Sequence, residues 1–169
     1  MPPRAVYGIS IVFSCMAWGM VTARYVWPSL HTLPRARALR PLLVLHGFRF
    51  IGLAFLVPGV VSPDVPIAFA RPAAYGDLMT AVLAWLALAL LPSRLGCVLV
   101  WVFTCCRSAD LLYAFYQGSR TGLGHAPGRM GAASFMPTIL VPLLLIRHGL
   151  VFRLLLTPDG AGTGRGRPA

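Results

Sequence analysis

The chain has no lysine. All fifteen of its basic residues are arginine, only four residues are acidic, and charged side chains make up 11% of 169 residues. Soluble domains carry about 25% charged residues, so too few polar groups exist here to cover a water-soluble fold of this size. Several enzyme signatures are missing as well. HExxH, GxSxG and a phosphate-cradling loop before a lysine are all absent, which removes the chemistries those motifs serve. GTGRG near the end has the composition of a tail rather than of a nucleotide loop. Four carboxylates leave little scope for divalent-metal phosphoryl transfer. The cysteines, Cys15, Cys97, Cys105 and Cys106, form no CxxC and have no histidine at zinc-finger spacing. Their place in apolar runs reads as small buried hydrophobes. The inventory calls for no metal site and no cofactor, and it points away from an enzyme without deciding the matter.

What is present is hydrophobic length. Hydrophobic residues make up 57% of the chain, and its mean hydropathy is +0.75. Apolar runs cover residues 6–26, 41–61, 75–91, 95–117 and 134–156, each close to the roughly 20 residues that a membrane-crossing helix needs. The expected fold is all-α: a polytopic transmembrane helical bundle of five spans. It forms a single domain over residues 1–156, with a disordered Gly, Pro and Arg tail over 157–169. The first run also has signal-peptide character, with Val21-Thr22-Ala23 as a weak cleavage site, which would leave four spans. Its length and the bulky Met16, Trp18 and Met20 favour a retained span.

The connections carry their own signals. Residues 31–40 hold Pro34, Arg35, Arg37 and Arg40 and read as a polar link. Pro58, Pro63, Pro66 and Pro72 predict that residues 62–75 form no regular helix and lie at the membrane interface or fold over the bundle mouth. Leu91-Pro92-Ser93-Arg94 is short enough to force the third and fourth spans into an antiparallel hairpin. Residues 118–131 read as a flexible loop. With five spans, one side would carry Arg24, Arg35, Arg37, Arg40, Arg94, Arg153, Arg165 and Arg167. The other would carry Arg4, Arg71, Arg120 and Arg129. The richer side should be cytoplasmic. This places the N-terminus outside and the C-terminus inside, in a bacterial inner membrane. The net charge of +11 then reflects topology. The partners it implies are the lipid bilayer and a membrane protein or a second copy of the chain, not nucleic acid.

A few polar residues interrupt the runs. The fourth carries Arg107 and Asp110 near its middle, where a charge costs about 2.5–3.5 kcal/mol on insertion scales. The second holds His46 and Arg49, three apart and so on one helix face, with Gly47 and Gly52 able to admit a neighbouring helix. The fifth holds Arg147 and His148. Asp77, behind Gly76, reads first as a helix N-terminal carboxylate at the outer membrane edge. Arg107 with Asp110 is the simplest pair, and Arg49 with Asp110 the rival. Either pair leaves positive charge inside unless His46 and His148 are neutral and Arg147 reaches the cytoplasmic interface. Two roles stay open for the group: a structural ion pair, or a proton relay or substrate pocket. His46 and His148 could also face a haem b, although lone intramembrane histidines more often bond a neighbouring helix.

Certain pieces of the chain fit together. These are Phe48-Arg49 with Gly52, the run Phe69-Ala70-Arg71-Pro72-Ala73-Ala74-Tyr75-Gly76-Asp77, Asp110-Leu111, Pro137-Thr138 with Val141-Pro142, and His148. Together the pattern resembles a family of small bacterial multi-span membrane proteins over about residues 45–149. The resemblance implies a fold type, a membrane location and a shared polar set of Arg49, Asp77, Asp110 and His148. It implies no activity. The chain departs from the pattern at Phe103-Thr104, where Trp-Asn is typical. Arg107 replaces a small glycine, and Arg147 an apolar residue. These departures favour Arg49 over Arg107 as the general partner of Asp110. The expectation is an integral membrane protein with an intramembrane polar site, of transport or interaction type. The alternatives are a structural subunit that needs a partner protein, or a haem-binding or membrane-embedded enzyme.

Overall fold

The computed structural model describes residues 1–122 and 126–157. Among them there is no β-strand, only an isolated bridge between Pro58 and Val61. Five helices are long and apolar enough to cross a membrane: α1 Pro3–Leu30, α2 Arg35–Leu56, α3 Ile67–Leu90, α4 Arg94–Arg120 and α5 Met136–Leu156. A 3-10 helix, Pro127–Ser134, leads into α5. This replaces part of the loop expected over 118–131, as does the extension of α4 to Arg120. Residues 123–125, and all but the first residue of the expected disordered tail, lie outside the described residues.

Two helices begin six or more residues earlier than the sequence suggested, both directly after a proline. Pro34 is the N-cap of α2 and Pro66 the N-cap of α3. The arginines after Pro34 do not end a helix, because arginine is a good helix former whose charge can hang outside. Pro72, expected to forbid a helix, lies inside α3. It removes one hydrogen bond, to the Ala68 carbonyl, from a helix of 24 residues whose other bonds are intact. The expectation of an irregular interfacial segment over 62–75 is therefore wrong from Ile67 onward. Two further prolines leave a local signature. Pro28 follows a π-helical turn at Thr22–Val26, and Pro142 follows one at Met136–Leu140. A proline cannot bond the carbonyl four residues back and crowds it. A widened turn just upstream absorbs that conflict.

The second half of α2 is a 3-10 helix, Phe48–Leu56. Residues three apart eclipse in a 3-10 helix, so Arg49, Gly52 and Phe55 stack along one edge, and these are its buried residues. That edge faces α3. Phe55 meets Phe69 edge-on at 5.7 Å between ring centroids.

Two apolar clusters form the core. One gathers Leu39, Leu42 and Leu43 of α2, Ala84 and Ala87 of α3, Val100 and Phe103 of α4, and Val151 and Leu154 of α5. The other gathers Phe55, Val65, Phe69, Ala70, Ala74, Met130, Ala133 and Met136. Along α2 and α3 the polar residues fall between these two sets, and the polar residues of α4 follow its members of the first set, Val100 and Phe103. The first part of α1 packs on α5 while Val12, Phe13, Met16 and Met20 stay exposed, and Leu30 at its end joins the first cluster. Two of the cysteines, Cys15 and Cys105, are exposed rather than buried as expected.

The α3–α4 hairpin is as tight as its sequence requires. Ser93 Oγ accepts from the Gly96 N–H at 3.1 Å and caps α4. Arg40 of α2 donates to the Leu91 carbonyl at 3.2 Å. A Cβ at Gly96 would lie 2.6 Å from the Leu90 carbonyl group, and backbone cannot yield as a side chain can. Gly96→Ala is expected to destabilise the protein by about 1–3 kcal/mol, read as a lower thermal midpoint of the detergent-purified protein. Gly149→Ala, where no atom lies within 4 Å of the added carbon, is the matched control.

Candidate functional site

The layer between the apolar clusters is built around Arg49. The residue is 4% exposed, and its guanidinium reaches two other helices. Nε donates to Thr80 Oγ1 of α3 at 2.9 Å, and Nη2 donates to Asp110 Oδ2 of α4 at 3.1 Å. Nη2 also pairs with Asp77 Oδ1 of α3. From within α4, Arg107 Nη1 donates to the same Asp110 Oδ2 at 3.0 Å. Both pairings weighed from the sequence thus occur together, on one carboxylate oxygen. The four groups carry two positive and two negative charges, so this cluster is neutral and leaves no net positive charge of its own.

Asp77 is where the sequence reading went astray. It lies ten residues after the start of α3 at Ile67, far from a helix N-terminus. Its pairing with Arg49 answers its charge instead. The misreading followed from the misplaced start of α3, which put Asp77 at a helix end.

Two glycines admit the two carboxylates. A Cβ on Gly52 of α2 would overlap the Asp77 side chain, and one on Gly76 of α3 would overlap Asp110 Oδ1. Each acid therefore sits against bare backbone of the next helix. Thr80 adds a further link: its hydroxyl lies 3.0 Å from both the Gly76 and the Asp77 carbonyl oxygens, to either of which it can donate while accepting from Arg49. Asp110 also lines a narrow cleft with Phe69, Pro72, Ala73, Tyr113, Ala114 and Gln117, too tight to hold a water molecule. Gln117 donates to the Tyr113 hydroxyl at 2.7 Å.

His46 and His148 form a second group toward the other apolar cluster. Their ring centroids are 6.0 Å apart, and Phe103 packs against them at 5.0 and 6.2 Å respectively. His148 Nε2 lies 3.1 Å from Ser108 Oγ of α4. Neither ring nitrogen of His46 has a partner, and His148 Nδ1 has none either. Among the described residues, no three His, Cys, Asp or Glu side chains group to hold a metal ion. Arg147 is 9% exposed, and its Nε is buried without a hydrogen-bond partner. The structure thus brings Arg49, Asp77, Asp110 and Arg107 into one cluster, and His46 and His148 into an adjacent one. Thr80 and Ser108 were missed. The signal for Thr80 was present, since it lies three residues after Asp77 and shares its helix face.

The chain belongs to a family, described as Domain of unknown function (DUF8737), which matches residues 6–156. No curated protein and no solved structure matches it.

The ion cluster makes a specific ranking of variants. Arg49→Met strands Asp77 without its guanidinium and is expected to cost about 3–5 kcal/mol. Arg107→Gly leaves Asp110 bound to Arg49 and should cost markedly less. Thermal unfolding of the purified variants in one detergent checks the order, and equal losses would contradict it.

Proposed function

We propose that the protein is a five-span integral membrane protein of the bacterial inner membrane, of transport type, with Asp110 as its proton-exchanging group. The observation that supports this most is the single buried guanidinium of Arg49 bridging carboxylates on two other helices. Ionisable groups inside membrane spans are costly and by default mark ion or proton pathways. In this reading the spans form one domain over residues 1–156, with the N-terminus outside and the C-terminus in the cytoplasm. The arginine-rich ends of α1, α2 and α5 carry that orientation.

Asp110 is the member of the cluster suited to exchange. Its carboxylate holds two guanidiniums through one oxygen and borders the cleft between α3 and α4. Protonation there would release Arg107 and loosen the Arg49 contact, coupling a proton to the fit of α2, α3 and α4. His148, bonded to Ser108 on α4, offers the next proton-accepting group. A second reading, a structural subunit, draws support from the unburied apolar face of α1, which a partner protein could cover.

Proteoliposomes loaded with a pH-sensitive dye test the first reading. Under an imposed potential, the protein should carry protons, and Asp110→Asn should reduce that flux by about 100-fold with its thermal midpoint still measurable. Equal flux in the variant rejects the role of Asp110. Co-purification of one stoichiometric partner, with no flux from the isolated chain, would support the subunit reading instead. Orientation is checked separately: a green fluorescent protein fused after Ala169 should fluoresce, and a dark but membrane-inserted fusion would reverse the topology.

A further inference from the structure

An open groove of about 640 Å³ lies away from the ion cluster, where three segments meet at one end of the bundle. Pro2, Pro3 and Arg4 line it from the start of α1, Ser62 and Asp64 from the connection between α2 and α3, and Arg129 from the 3-10 helix before α5. Ligand sites commonly enclose about 300–1,000 Å³. The groove therefore has room for a molecule of several heavy atoms, whereas the cleft beside Asp110 cannot hold one water.

Its walls are fixed by backbone. The Ser62 N–H donates to the Arg129 carbonyl at 3.0 Å. Gly131 takes φ +52°, and a Cβ there would lie 2.7 Å from the Val60 carbonyl oxygen. The two loops thus meet with no side chain between them. Behind them Val65, Met130 and Ala133 are buried in the second apolar cluster. The charges on these walls are of both signs. The Asp64 carboxylate meets the Ser62 hydroxyl at 3.4 Å and, among the described residues, makes no ion pair with an arginine. A purely anionic guest would face Asp64, and a purely cationic one would face two guanidiniums. A guest carrying both charges a few bonds apart answers all three groups.

The level of the groove narrows the choice. α1 and α3 begin there and α2 ends there, and each is long enough to cross a membrane. The ends of spans stand among lipid headgroups. Val6 and Ile67, within three residues of Arg4 and Asp64, are exposed apolar side chains that acyl chains can cover. We infer that the groove binds the headgroup of an ethanolamine phospholipid, with the phosphodiester on Arg4 and Arg129 and the primary ammonium on Asp64. A guanidinium has five N–H donors, so the phosphodiester adds to the contacts that Arg4 makes elsewhere. A primary ammonium brings three N–H donors to the carboxylate, and choline brings none. The inference rests on the membrane-spanning reading, and not on the proton role of Asp110 or on which end faces the cytoplasm. Failure of the membrane reading would show separately, as protein recovered from the aqueous fraction without detergent.

The test is native mass spectrometry of the detergent-purified full chain. It is mixed with equal amounts of phosphatidylethanolamine, its N-methyl and N,N-dimethyl forms, phosphatidylcholine and phosphatidylglycerol, all with the same acyl chains. One phosphatidylethanolamine per chain should be retained about 3–5-fold over phosphatidylcholine, with retention falling as each methyl removes an N–H. Asp64→Asn should level the series, and Arg129→Gln should lower every member of it. Four outcomes overturn the proposal: an unranked series in the wild type, a ranking that survives Asp64→Asn, retention unchanged by Arg129→Gln, or phosphatidylglycerol retained above phosphatidylethanolamine. Glycerophosphoethanolamine, the same headgroup without acyl chains, should not displace the lipid at equal concentration. If it does, the groove belongs to a soluble zwitterion and the lipid assignment fails. Asp64 and Arg129 are both exposed, so both variants should fold. Should one not fold, the methylation series decides, since it alters only the ligand.

Discussion

One guanidinium holds three helices in register. Arg49 leaves water almost completely, and removing an ion from water costs several kcal/mol even after the protein relaxes. That cost is met only if its donors find acceptors in good geometry, which fixes where Asp77, Thr80 and Asp110 must stand. Much of the local architecture follows from this demand. The 3-10 winding of Phe48–Leu56 aligns Arg49 with Gly52 and Phe55 on the edge that meets α3. Gly52 and Gly76 keep the helices close enough for short aspartates to reach. A longer acid or a bulkier residue at either glycine would push α2, α3 and α4 apart and lengthen every contact in the cluster.

The residue types fit that role. Arginine presents a rigid fork with several donors, so one side chain can serve Thr80, Asp77 and Asp110 at once, whereas a lysine ammonium acts as a point charge. Sealing the layer between two apolar clusters lowers the local dielectric and strengthens each contact. The same sealing makes any unanswered charge expensive. Arg107 is tolerable because Asp110 lies three residues along the same helix. Among the described residues no carboxylate pairs with Arg147.

Several of these features were legible in the sequence. The number of long apolar helices, the α3–α4 hairpin and the shared face of His46 and Arg49 follow from run length, spacing and a short connection. So do both candidate partners of Asp110. Other features were not legible, for physical reasons. A proline reads as a breaker, yet Pro34 and Pro66 start helices and Pro72 is carried inside one. Placing α3 too late turned Asp77 from an ion-pair partner into an apparent cap. The 3-10 segment leaves no mark in composition, because it arises from what α2 packs against rather than from local propensity.

The geometry of the cluster bears on whether it moves. A neutral quartet of fixed ion pairs would serve as a lock, and burial alone cannot separate a lock from a switch. The two acids within it are not equivalent. Asp77 answers to Arg49 alone, whereas Asp110 holds two cations on one oxygen and lies at a cleft wall. Removing the Asp110 charge would leave two guanidiniums facing each other with only Asp77 between them, an arrangement that favours separation of α2 from α4. Removing the Asp77 charge would leave Arg49 still bound to Asp110 and Thr80. The two acids are thus unequal in what they hold, and the one that holds more is the less exposed of the two, at 11% against 20%. That arrangement makes Asp110 the acid on whose charge the contact between α2 and α4 depends.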